Sequence, residues 1–129
     1  MIELNHLFLC TVPVGSRVTC NPAPTDTDAD YLCMLTPSLH DQCGGSFDAK
    51  MLDAGWRLGG SKPTDETAIP EDQIFWSYTK GEMNLIVTKS PVFFSRFLAA
   101  TSVSKRLNLM RKADRIALFQ AVLYGNACT

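Results

Sequence analysis

Apolar and polar positions follow one period in the first two thirds of the chain and another in the last third. Residues 6–12, His-Leu-Phe-Leu-Cys-Thr-Val, are apolar and tolerant of extended backbone. They predict a central strand that stops at Pro13, with Val14-Gly15-Ser16-Arg17 as the turn after it. A polar, proline-stiffened loop covers Asn21 to Thr25, and a second strand runs from Asp28 or Ala29 to Leu35, closed by Thr36-Pro37. Ser46 to Ala54 predicts a short helix with Ser46 as N-cap and Phe47, Met51 and Ala54 as a weak stripe. Trp56-Arg57-Leu58 then leads into Gly59-Gly60, and Ser61 to Asp72 is charged and short of apolar anchors, as loops are. Gln73–Tyr78 and Met83–Thr88 predict the two arms of a β-hairpin around Thr79-Lys80-Gly81-Glu82, with Gly81 free to take positive φ.

From Pro91 the period becomes helical. Phe94, Phe97, Leu98 and Thr101 share a face, and Pro91 suits a first helical turn. Past Asn108-Leu109, a second helix runs from about Lys112 to Tyr124 on Ile116, Phe119, Val122 and Leu123, and Gly125-Asn126 ends it. Strands with a helix among them, then two helices, predict a single α/β or α+β domain over residues 1–129, with a mixed sheet of about four strands flanked by helices.

Composition narrows the classes. The hydrophobic fraction of 46% suits a packed core and excludes a disordered chain. No apolar run is long enough to span a bilayer, and Met1 to His6 carries no basic leader, so no membrane association and a cytoplasmic setting are expected. The five cysteines form no CxxC pair and have no metal-ligand spacing to His6 or His40, which predicts reduced, mostly buried thiols rather than a zinc site. The net charge of −1 hides an asymmetry: residues 1–90 hold 12 acidic and 6 basic groups, residues 91–129 hold 1 acidic and 6 basic. The basic tail is either a solvated helix face or a wall for the phosphates of a nucleotide or nucleic acid.

The chemistry concentrates in two short segments. Asp28 and Asp30 alternate at a strand start, so both carboxylates point to one face and can hold a divalent cation, Mg²⁺ above all. Gly15 lets backbone approach a phosphate, and Ser16 adds a hydroxyl and an N–H. Arg17 adjoins them as a phosphate contact. Each half alone also reads as an ordinary solvated turn. Trp76 and Tyr78 share a strand face that suits core packing or base stacking. Lys105, Arg106, Arg111, Lys112 and Arg115 surround the junction of the last two helices, and Lys80 lies in the hairpin turn.

Val14-Gly15-Ser16-Arg17 followed by Thr27-Asp28-Ala29-Asp30-Tyr31-Leu32 resembles the hydrophobic-Gly-Ser and Asp-x-Asp signature of the polymerase-β-type nucleotidyltransferase superfamily. Residues 76–88, 97–101 and 112–126 also look like small nucleotidyltransferase-like proteins of tailed bacteriophages, so the resemblance covers most of the chain. It implies a minimal nucleotidyltransferase fold in which Gly15 and Ser16 bind triphosphate and Asp28 and Asp30 hold the metal. It further implies transfer of a nucleoside monophosphate from an NTP to a hydroxyl on a protein, a small molecule or an RNA end. If the chain is phage-encoded, its setting is the host cytoplasm.

Two departures stand against that pattern. The family's third carboxylate position matches Asn84, whose amide cannot accept a proton, while Glu82 lies two residues earlier on the same strand face and can supply the charge. Cys20-Asn21-Pro22 fills a stretch where the family often has a glycine, and proline offers phosphate no N–H. These departures motivate the alternatives: a catalytically degenerate protein that binds a host protein, or a nucleic-acid-binding module acting through the basic helices. The small size leaves acceptor surface to be supplied by a second subunit, as in a homodimer, or by the target itself.

Overall fold

A computed structural model describes residues 7–25, 28–36, 45–60 and 75–124. The expectations for Ser61–Asp72, for the helix stop at Gly125-Asn126, for Pro37, and for the first residues of the Gln73–Tyr78 strand lie outside these residues. His6, Asp26, His40, Cys43 and Cys128 lie outside them too.

The described residues form an α+β arrangement around a five-stranded mixed sheet. The strands are β1 (Phe8–Val14), β2 (Ala29–Leu35), β3 (Arg57–Gly60), β4 (Phe75–Lys80) and β5 (Met83–Thr88), in the order β1-β2-β5-β4-β3. Only the β2–β5 pair is parallel. The helices are α1 (Ser16–Thr19), α2 (Gly45–Asp53), α3 (Pro91–Leu107) and α4 (Lys112–Tyr124).

Two cores lie on opposite faces of the sheet. On one face, Phe47 and Met51 of α2 and the following Trp56 pack on Cys33, Leu35, Tyr78, Leu85 and Val87. On the other, Phe93, Phe97 and Ala100 of α3 and Phe119 and Leu123 of α4 pack on Val14, Leu32, Phe75 and Ile86. Strand alternation sorts the residues: Tyr31, Cys33 and Leu35 turn to α2, while Leu32 turns to α3 and α4. The Phe97 and Phe119 rings meet edge-on at 5.0 Å between centroids, locking α3 to α4. Ser90 caps α3 by accepting from Phe93 N–H at 3.1 Å, with Pro91 in the first turn.

The structure departs from the sequence expectations in several places. The sheet has five strands rather than about four, because Arg57–Gly60 pairs with β4; four residues ending in two glycines carry no readable period. The first strand lies at the sheet edge rather than at its centre, and it continues through Pro13 to Val14. An edge strand tolerates a proline because one side of it makes no ladder bonds within the sheet. Ser16 and Arg17 lie in α1 rather than in a turn, since Val18 and Thr19 N–H both donate to Gly15 O. The helix α2 begins at Gly45, so Ser46 lies inside it rather than at its cap. The hairpin turn is shorter than expected, just Gly81-Glu82, and Gly81 does take positive φ, +60°.

Candidate functional site

Where β1 ends, the chain reverses through Gly15, and the register sets Val14 opposite Asp30 of β2. On the other side of Asp30 the parallel register sets Asn84 of β5, and beyond it Thr79 of β4. Four adjacent strands therefore contribute one residue each to a row across the sheet, Val14, Asp30, Asn84 and Thr79. Asp30 lies two positions before buried Leu32, and Asn84 two before Ile86, which puts both on the α3/α4 face.

Gly15 has φ +82° and ψ −175°, a conformation other residues rarely adopt. A side chain there would also run into Asp30 Oδ2 and approach Asp30 Cβ and Cγ to 3.1 Å. The glycine of the reversal thus lies directly against the carboxylate, and this contact joins the two halves of the sequence motif. Asn84 Nδ2 donates to the other oxygen, Asp30 Oδ1, at 3.1 Å.

Burial pushes the Asp30 carboxyl above its ordinary pKa; the Asn84 hydrogen bond opposes this, the Asp28 charge adds to it, and the Arg17 charge offsets it. Asp28 is exposed just before β2 begins, and Arg17 is exposed on α1, both close enough to act on Asp30 through their charge. Ser16 is half-buried at the start of α1. Glu82 is exposed in the hairpin turn, and its carbonyl accepts from Ala29 N–H at 2.8 Å, so the turn is tied to the start of β2. Among the described residues, no three His, Cys, Asp or Glu side chains gather to hold a metal ion, so Glu82 does not join Asp28 and Asp30 in such a group.

Asp30 and Asn84 are thus side by side in the row with Gly15 against Asp30, Asp28 and Arg17 are within charge range, and Ser16 is next along the chain. The donor set consists of hard oxygens, with Asp30 Oδ2 against Gly15 and Asp30 Oδ1 accepting from Asn84. Mg²⁺ suits such a set, since it is held by one or two carboxylates with water and substrate phosphates completing its shell. Asp28 and Asp30 are the residues that would hold it.

A groove of about 500 Å³ opens beside α1, lined by Ser16, Cys20, Pro22–Thr25, Met110 and Arg115. Its walls are held by contacts between distant segments. Asn108, at the C-cap of α3 with φ 50°, accepts from Asn21 N–H at 2.9 Å and donates to Asn21 O at 3.1 Å. Arg115 Nη1 donates to Leu109 O and Met110 O at 3.1 and 2.9 Å, and Cys20 Sγ lies 3.5 Å from it. The junction of the last two helices therefore sits beside the loop after α1, and one of its five basic residues lines the groove. Sequence reasoning found Arg115 only as part of a basic group and missed Cys20, Asn108 and Thr79. The one local signal was the Asn108 break between helices, where asparagine readily takes the left-handed conformation.

Of the two readings for Trp76 and Tyr78, core packing is the one found, while Lys80 lies in β4 rather than in the hairpin turn. Trp76 and Tyr78 belong to the α2 core, on the face opposite the row, where Tyr78 is fully buried. Lys80 is the last residue of β4; its Nζ donates to Ala54 O at 2.9 Å and lies 5.9 Å from the Trp56 ring centroid, so it ties the end of α2 to the sheet. Among the described residues no helix is long and apolar enough to cross a membrane, and Cys10, Cys20 and Cys33 are free thiols. Compared with protein families, curated proteins and solved structures, the chain matches none.

Proposed function

We propose that this protein is a Mg²⁺-dependent nucleotidyltransferase that moves a nucleoside monophosphate from an NTP to an acceptor. The observation that carries the reading is the contact of Gly15 with the Asp30 carboxylate. A phosphate-approaching turn and a cation-binding strand start meet there at one point. Gly15 brings backbone close to the triphosphate, and Ser16 donates its hydroxyl and N–H to a phosphate oxygen. Arg17 adds positive charge on the same side. Asp28 and Asp30 would hold Mg²⁺, which would neutralise the triphosphate and polarise the α-phosphorus. Positioning and charge neutralisation suffice for in-line displacement of pyrophosphate, with no covalent enzyme intermediate.

The test is calorimetric titration of the protein with each NTP, with and without Mg²⁺, beside D28A/D30A. Mg²⁺-dependent binding that the variant loses is the expected result. Equal binding by a folded variant would remove the site assignment.

A second reading has its own observation. Asn84 Nδ2 donates to Asp30 Oδ1 at the position where the superfamily resemblance calls for a third carboxylate. A protein that retains the fold but acts by binding a partner accounts for that replacement. It requires partner capture to survive the double aspartate substitution.

A further inference from the structure

The junction between the last two helices carries charge that helix formation does not ask for. Lys105 and Arg106 lie in the last turn of α3, where cations complement the negative end of the helix dipole. Arg111 and Lys112 lie at the opposite kind of end. Arg111 is the N-cap of α4: its carbonyl accepts from Asp114 N–H at 3.1 Å and from Arg115 N–H at 3.2 Å. That position favours Ser, Thr, Asp or Asn, whose side chains accept from the N–H groups of the first turn. A guanidinium accepts nothing, and its charge, like that of Lys112, is repelled by the positive end of the dipole. Asp114 in the first turn offsets part of this. All four cations are exposed, and the stretch from Lys105 to Lys112 has no acid among them. Residues that break a local rule mark functional sites, where another gain compensates.

The groove beside α1 opens onto the same junction. Met110, next to Arg111 in the chain, is one of its walls, and Arg115 is another. Pro22, Pro24 and Met110 give it apolar surface, and Ser16 and Thr25 add hydroxyls. Its volume of about 500 Å³ is that of a small-ligand site. The two hydrogen bonds between Asn108 and Asn21 tie the loop wall of the groove to the cationic stretch.

A polyanion that carries flat rings along its length matches both features. Its phosphates neutralise the cations, and an unstacked base enters the groove. A duplex keeps its bases stacked and paired, and a bilayer is too flat to fill a concavity, so a single strand fits best.

We infer that the α3–α4 junction binds single-stranded nucleic acid, with phosphates on Lys105, Arg106, Arg111 and Lys112 and one base in the groove. The inference does not rest on the nucleotidyltransferase reading, since it uses neither Asp28 nor Asp30.

The test is fluorescence anisotropy of the full chain, in EDTA, with a labelled single-stranded DNA dodecamer, its duplex, an abasic strand of the same length, and phosphatidylglycerol vesicles as competitor. Four phosphate contacts on a single strand give a log–log salt slope of about −3, so affinity should fall about fiftyfold between about 50 and 200 mM salt. R111Q/K112Q should lose roughly half of that slope and bind on the order of tenfold weaker at the lower salt. Removing both charges relieves the start of α4, so this variant should melt no lower than wild type. A23W, checked for folding by circular dichroism, fills the groove; it should weaken binding of the dodecamer and leave the abasic strand unaffected. D28A/D30A should bind the strand as wild type does, which separates this result from the Mg²⁺–NTP titration. Equal binding by R111Q/K112Q and wild type, a duplex bound as tightly as the single strand, or capture by the vesicles with no binding of the strand would each overturn the assignment. An A23W protein that binds the dodecamer as wild type does would overturn the placement of the base.

Discussion

Replacing Gly15 with alanine probes the contact on which the site depends. Gly15 holds φ +82° and ψ −175°, a region essentially confined to glycine, where another residue costs about 1–3 kcal/mol. The added methyl would also overlap Asp30 Oδ2 and crowd Asp30 Cβ and Cγ at 3.1 Å. Relief requires the carboxylate to swing away, which breaks its 3.1 Å hydrogen bond from Asn84 and costs about 1–2 kcal/mol more. The sum is about 3 kcal/mol. For a chain of this size each kcal/mol moves the melting temperature by about 3–5 °C, so G15A should melt roughly 10 °C lower.

Urea denaturation of wild type, G15A, D30A and the double variant separates the two causes. In D30A the obstructing carboxylate is gone, so G15A should cost about 1 kcal/mol less there than in wild type. Additive effects within about 0.5 kcal/mol would mean that Asp30 does not lie against Gly15. A G15A protein as stable as wild type would refute the backbone argument as well.

Asn108 offers a second test: N108A loses the left-handed cap preference and both bonds to Asn21, and urea denaturation should show a loss of about 2 kcal/mol. N108G keeps the backbone freedom and loses only the amide bridge, so its loss should be smaller. Asp30 makes stability depend on pH. Its folded pKa is raised above 3.8, chiefly by burial, so the native state binds its proton more tightly than the unfolded chain. Its contribution is full below 3.8 and is lost as pH rises through the folded pKa. D30N should therefore gain stability relative to wild type as pH rises through that window, in urea denaturation with metal chelated; a difference independent of pH would contradict the burial of Asp30. Thiol labelling with mass mapping should modify Cys10 well before Cys33: Cys10 is exposed, while Cys33 is fully buried and burial pushes its thiol up to about 12.

The periodicity of the chain was enough to delimit β2, β5 and α4, and to assign α3 its start at Pro91. In these segments the apolar spacing records which side is buried, and burial on a regular element is a local property. The positive φ of Gly81 was legible for the same reason, since a tight hairpin turn demands it within a few residues. The Gly15-Ser16 and Asp28/Asp30 segments stood out as candidate chemistry because the residue types themselves suit phosphate and cation.

Their assembly was a different matter. Asp30 and Asn84 are 54 residues apart and meet only because β5 runs parallel beside β2, a consequence of the strand order. Asn21 and Asn108 are 87 apart, and their pairing shapes the groove beside Ser16. The edge position of β1 and the strand status of Arg57–Gly60 also came from pairing, as did the inward turn of Trp76 and Tyr78 away from the site. Local pattern specifies which face of an element is apolar. Which elements become neighbours is decided when two separate cores must be closed on the two sides of one sheet, and that decision brings Asp30 beside Asn84 and against Gly15.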